Sequence, residues 1–183
     1  MNRGAPRGFT LIELMIVVII LGVLAAIAVP SFLQPFHYSK TSEVQALLRD
    51  IGAKQEAFKA EFGQYLNVSG TMDFAKRRPA AAPRSDFGWV DWTPVDGDPI
   101  DDAWKRLGFR PQSAVRFGYV VVAGLPGVTV SGVPAGLANT NDHWWAAVGY
   151  GNLNASGATG AGDTTQYYLS NSQNVMGVVN EGN

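Results

Sequence analysis

Between Phe9 and Val29 the chain reads FTLIELMIVVIILGVLAAIAV, a run of 21 residues in which Glu13 is the only charged side chain. Such a run fixes the local choice of structure. A helix rises about 1.5 Å per residue and a bilayer core is about 30 Å thick, so about 20 helical residues span it. Arg3 and Arg7 precede the run, which predicts residues 1–8 on the cytoplasmic side and the C-terminus outward. One expectation is therefore a membrane before any assembly, with the helix from Phe9 to Pro30 as the spanning element.

Two plain readings of this run are a secretory signal peptide cut near Ala26-Ile27-Ala28 and an unprocessed single-span anchor. The first requires an apolar region of roughly 7–15 residues, which this run exceeds, and it would place Glu13 inside that region. The second leaves Gly8 and Glu13 without a role. An ionised carboxylate in a spanning helix costs roughly 2.5–3.5 kcal/mol and asks for a partner, or snorkels to the headgroups. A freed amine on Phe9 would be such a partner, one helical turn away, and the helix dipole also favours an anion near the N-terminus.

The contiguous sequence Gly8-Phe9-Thr10-Leu11-Ile12-Glu13 resembles the recognition sequence of type IV prepilins. That resemblance implies cleavage after Gly8 by a prepilin peptidase, which as N-methyltransferase also methylates the new amine of Phe9. It implies further that Glu13 pairs with the amine of a neighbouring subunit during assembly. The implied partners are copies of the chain in a helical filament, the processing enzyme and an inner-membrane assembly machinery. The implied function is a pilus subunit for attachment or twitching motility; alternatives with the same N-terminus are a type II secretion pseudopilin and a minor tip pilin. The precursor is then a single-pass inner-membrane protein, and the assembled form is extracellular.

Gly22 and Pro30 weaken the helix, because glycine costs backbone entropy and Pro30 lacks the N–H that would bond the Ala26 carbonyl. Both match the glycine and proline of many pilins, which implies helicity in the membrane and partial melting of residues 22–30 in the fibre. Pro35 repeats the defect five residues on, leaving the path from Ser31 to Ser39 open.

Beyond Pro35, Val44, Leu47, Leu48, Ile51, Phe58 and Phe62 recur at helical spacing, which predicts an amphipathic segment with Ser42 as a boundary signal and Gly63 near its end. The expected organisation is a leader (1–8), an apolar helix (9–30), its amphipathic half (31–65) and a head (66–183). With both halves the helix runs to roughly 55 residues and about 80 Å, too long for one domain to bury. Residues 67–112 show little periodicity and several prolines, and are expected to form a long connection with one strand near Phe87 to Thr93. Strand-like runs start at Val115, His143 and Thr165, separated by Gly- and Asn-rich segments. Helix first and strands after indicate an α+β protein with the type IV pilin fold, an antiparallel sheet laid on the amphipathic half of the helix.

Chemistry is sparsely supported. With no cysteine, disulfides and thiolate metal sites are excluded. His37 and His143 lack metal-site company and are expected to be structural, while GNLNASGATGAGD offers too few carboxylates for calcium and is expected to be a surface loop. No nucleophile motif is present, so an enzyme is not expected, nor is any metal or cofactor. Lys76, Arg77, Arg78 and Arg84 form a basic cluster, followed by Asp86, Asp91, Asp96, Asp98, Asp101 and Asp102. These patches are expected either to meet between subunits or to stay solvated. Net charge near zero, with only these four clustered cations, argues on electrostatic grounds against a nucleic-acid partner.

Overall fold

The computed structural model describes residues 10–83, 88–152, 164–173 and 177–179. Their first element is the helix α1, Leu11–Phe62. It passes through Ser42, which the sequence suggests as a boundary, and through Pro30 and Pro35. It stops one residue before Gly63, whose φ of 75° and N–H to the Lys59 carbonyl (2.8 Å) end the helix in the left-handed region. Two compact units divide the chain between Ser39 and Lys40, so the last part of α1 belongs to the second unit.

Within that unit Val44, Leu48, Ile51, Gln55 and Phe58 form the buried stripe of α1. Gln55 is a polar residue at 0% exposure, and both ends of its amide are used. Its Nε2 donates to the Leu66 carbonyl (2.8 Å) and its Oε1 accepts from the Leu66 N–H (2.9 Å). The side chain thus imitates a strand neighbour and fixes the returning chain, which removes the desolvation cost of an unpaired amide. Phe62, expected in the core, is 57% exposed and rests on the Phe58 ring at 4.4 Å. It lies in the final turn, past the last place where the stripe has a partner.

The sheet is an antiparallel meander of four strands: β1 Gly118–Gly124, β2 Trp144–Gly151, β3 Thr165–Ser170 and β4 Gly177–Val179, in that order. The expected α+β class is therefore observed, with a fourth strand added. Alternation sends Tyr119, Val121, Trp145, Ala147, Tyr167 and Leu169 toward α1. Val120, Val122, Trp144, Ala146, Val148 and Tyr150 face the other way, where Met72 and Leu137 cover them. Burial on both faces explains the unbroken apolar runs in β1 and β2. At Gly149 an added Cβ would lie 2.4 Å from Cγ2 of Val44, so glycine here permits the close approach of α1 to β2.

The connection from 67 onward is more ordered than its sequence suggests. A 3-10 turn occupies Phe74–Lys76, capped by the Asp73 side chain, and Arg78 bridges Tyr119 with paired backbone hydrogen bonds of 2.9 and 2.7 Å. Ser69 adds its N–H to the Val121 carbonyl and its Oγ to the Val121 N–H. These contacts cover the outer edge of β1, which would otherwise offer unpaired groups to another chain. A strand over 87–93 reduces to a single bridge between Val90 and Val115 among the described residues.

A second helix, α2, spans Pro99–Leu107, where the sequence reading expects only a connection. Asp98 caps it by accepting from the Ile100 and Asp101 N–H groups, Pro99 opens it, and Gly108 closes it at φ 71°. It presents Trp104 and Leu107 to the core, where Trp104 meets Trp92 and Phe109 at ring-centroid distances of 5.2 and 5.1 Å.

Candidate functional site

The first turn of α1 holds the most informative local geometry. Thr10 precedes the helix, and its Oγ1 accepts the Glu13 N–H at 3.3 Å while its carbonyl accepts from Leu14 at 3.3 Å. Thr10 and Glu13 thus stand at the two ends of a T-x-x-E capping arrangement, satisfying one of the helix's orphan donors. The sequence signal for this cap is the spacing of Thr10 and Glu13 in Thr10-Leu11-Ile12-Glu13. Gly8 and Phe9 lie outside the described residues.

From Leu11 to Ala26 every side chain is exposed, including Leu11 at 77% and Ile19 at 61%. Glu13 is the sole charge on this stretch. Gly22 is not demanded by packing, for a Cβ added there would meet nothing within 4 Å. Among the described residues no helix is long and apolar enough to cross a membrane. The expected span over residues 9–30 extends beyond the residues whose side chains are described.

The charged segment of the head is consumed internally. Arg78 donates through Nε to Asp101 and through Nη2 to Asp98 (2.8 Å), with Arg78 only 16% and Asp101 only 7% exposed. Asp101 also accepts the Val95 N–H at 2.9 Å. The Asp98 carboxyl is held below its ordinary range, chiefly by the Asp101 N–H and with help from Arg78. Arg77 turns over the Phe74 ring at 3.8 Å and donates to the Phe74 and Ala82 carbonyls. Lys105 takes up Asp96 and Asp102. The clustered charges singled out in the sequence are therefore largely a device for tying one loop to the start of α2, rather than opposed patches awaiting a neighbour; Arg84 and Asp86 lie outside the described residues.

A second polar anchor joins α1 to the approach to β1. Glu43 accepts the Arg116 N–H at 2.9 Å, and the Arg116 guanidinium lies 4.1 Å above the Trp89 ring. Burial raises the Glu43 carboxyl above its ordinary value despite the opposing effect of these donors, and burial, with the nearby Glu43 carboxylate adding to it, pushes the Tyr119 phenol well up. Neither residue was legible as a pair, being 76 positions apart in a single sequence.

Of the histidines, His143 is half-buried beside β2; the described GNLNASGATGAGD residues stop at Asn152, and the rest of that loop lies outside them. No group of three or more metal-ligating side chains occurs among the described residues.

A helix with a capped start, an acidic third position and an exposed apolar surface is followed by an α+β head. Comparison with known proteins shows which family shares this arrangement. Residues 4–29 match the prokaryotic N-terminal methylation motif. The type IV major fimbrial protein FimA of Dichelobacter nodosus is 45% identical over 121 residues, covering 66% of this chain and 67% of that relative. The type IV major pilin protein PilA of Myxococcus xanthus is 46% identical over 72 residues, covering 39% of this chain and 33% of the pilin. The chain thus spans about a third of that relative's length. A type II secretion system core protein G from Pseudomonas aeruginosa is 30% identical over 100 residues, 52% of this chain and 70% of that protein. No solved structure matches significantly. The chain belongs to the type IV pilin family.

Proposed function

We propose that this chain is the structural subunit of a type IV pilus. In this reading it is cut after Gly8, methylated on Phe9, held in the inner membrane by residues 9–30 and moved by the assembly machinery into an extracellular filament. The observation that carries the proposal is the helix surface from Leu11 to Ala26, apolar apart from Glu13 and exposed throughout. Burying such surface stabilises an assembly by about 25 cal/mol per Å² removed from water. Lipid already removes it from water before assembly, so the gain appears only relative to an aqueous fibre exterior and extraction needs external work.

Glu13 selects the register of assembly. In a filament core of low polarity its carboxylate stabilises the arrangement that brings a cationic Phe9 amine from a neighbour alongside it. Thr10 caps the helix and thereby holds the backbone at Glu13 in helical form. Gly22, free of packing demands within the chain, and Pro30 mark where the helix loosens in the fibre. The head supplies the outer wall, and catalysis has no part in the role.

The experiment is to shear surface filaments and identify their main protein in cells carrying the wild type or Glu13→Gln. The expected result is this chain as the main component in wild type, with processed but unassembled Glu13→Gln chain left in the membrane. The similarity to a core protein G of a type II secretion system favours a second reading, a short periplasmic pseudopilus. Absence of this chain from sheared filaments, with processed chain retained in the envelope, would select that reading.

A further inference from the structure

An open cleft of about 530 Å³ lies on the sheet face turned away from α1, between the 3-10 turn, the Ser131–Gly132 loop, β2 and β3. Its walls are pinned together. The Met72 N–H donates to the Ser131 carbonyl at 2.9 Å, and Gly132, at φ 85°, sits so close that a Cβ would fall 2.3 Å from the Met72 carbonyl oxygen. Tyr150 stands opposite Gln166 in the β2–β3 register, and Tyr168 follows two residues on, so all three share this face. Phe74 meets Tyr150 edge-on at 5.1 Å.

The cleft combines ring surface with hydrogen-bonding groups that the fold does not use. The Thr71, Ser131 and Tyr150 hydroxyls make no hydrogen bond among the described residues, and Asp73 engages only Oδ1, with the Ala75 N–H. The Tyr168 hydroxyl donates to Gln166 Oε1, which orients both at the rim. Burial pushes the Tyr150 phenol well up, keeping it a donor.

These groups select a ligand class. An apolar ligand would bury the three unused hydroxyls without partners, a loss of roughly 1–3 kcal/mol for each. A phosphate would find no cation among the lining residues, because Arg77 lies over the Phe74 ring with its donors given to the Phe74 and Ala82 carbonyls, and an organic cation would meet one carboxylate with that guanidinium nearby. A neutral sugar ring fits both features, offering C–H faces to aromatic side chains and hydroxyls to hydroxyl, amide and carboxylate partners. The volume lies within the range of small-molecule sites, about 300–1,000 Å³. We propose that this cleft binds a neutral pyranose saccharide, with Tyr168 as the ring surface and Tyr150, Thr71, Ser131 and Asp73 as the hydroxyl partners.

The proposal is independent of filament assembly and can be tested on the full chain in detergent. Saturation-transfer NMR would be recorded with galactose, N-acetylglucosamine and N-acetylneuraminic acid as probes. The expected result is saturable binding of at least one neutral sugar and weaker or no binding of the anionic one, which Asp73 repels. Tyr150→Phe, which keeps the ring, should weaken neutral-sugar binding at least fivefold with an unchanged unfolding curve. Tyr168→Ala should weaken it further. Absence of saturable binding for both neutral sugars, tighter binding of the anionic sugar, or equal affinity in Tyr150→Phe and Tyr168→Ala would overturn the assignment.

Discussion

The two ends of α1 both carry apolar residues and use them in opposite ways. Between Val44 and Phe58 the buried side chains Val44, Leu48, Ile51, Gln55 and Phe58 fall at intervals of three and four, and the opposite face carries Arg49, Asp50 and Ala57. Between Leu11 and Ala26 no side chain but Glu13 is charged, and all are exposed. An amphipathic stripe states that its partner is on one side and within reach of the same chain. An all-round apolar surface states that the partner surrounds it, as lipid or packed copies do. Glycine sharpens the contrast: at Gly149 contact with Val44 leaves no room for a Cβ, whereas at Gly22 there is open space.

The largest break of this comparison comes from truncating apolar side chains at each end. Ile51→Ala, at 0% exposure on the buried stripe of α1, should destabilise the head by about 2–5 kcal/mol in denaturant unfolding. Ile19→Ala, at 61% exposure, should leave that unfolding curve in place while lowering filament yield. Equal effects on the head would mean that the two ends are not energetically distinct.

Next in size is the internal ion cluster. Arg78→Ala leaves the buried Asp101 without its guanidinium and should cost about 3 kcal/mol of head stability, measured the same way. A loss as small as that of an exposed pair, below about 1 kcal/mol, would return these charges to the status of a solvated loop.

How much of this was readable beforehand depends on whether a partner is local. The stripe of α1, the α+β order and three of the strands follow from spacing alone, because helical and strand periods survive in a single sequence. β4 has three residues and too little pattern to show a period. α2 carried its signals in Asp98, Pro99 and Gly108, with Ile100, Ala103, Trp104 and Leu107 at helical spacing, yet it is short and sits in a stretch of several prolines and many charges that reads as a connection. Asp101 is buried against Arg78, 23 residues earlier, and the Val95 N–H, partners that a single sequence does not pair with it. Phe62 follows the stripe's spacing and still faces solvent, since periodicity records orientation without showing where the partner ends. At the N-terminus the prepilin-like motif was legible in full, and Thr10's capping role became visible with the helix start.

Smaller effects refine the comparison. Gly22→Ala should stabilise helical residues 11–26 by about 1 kcal/mol, seen as added helicity in detergent, without shifting head unfolding. If the fibre requires loosening between Gly22 and Pro30, the same substitution reduces the number of surface filaments. Undiminished assembly with an unbroken helix in the fibre would remove that requirement.

The gentlest is a pH effect in the head. The folded Glu43 carboxyl titrates above its ordinary value of 4.5, so between the unfolded and folded values the folded state holds more protons. Stability should therefore fall as pH rises through the interval beginning near 4.5, then level off once both states are ionised. Glu43→Gln should flatten this part of the pH profile, as measured by thermal unfolding in a buffer series. An unchanged slope would assign the dependence to other groups.

The central claim is that cleavage frees the start of an exposed apolar helix for assembly. Its most direct test is intact mass with N-terminal sequencing of the chain taken from sheared surface material. The account predicts a chain beginning at Phe9 and carrying one methyl group on its amine. A chain beginning near Val29, with the apolar segment removed, would contradict it.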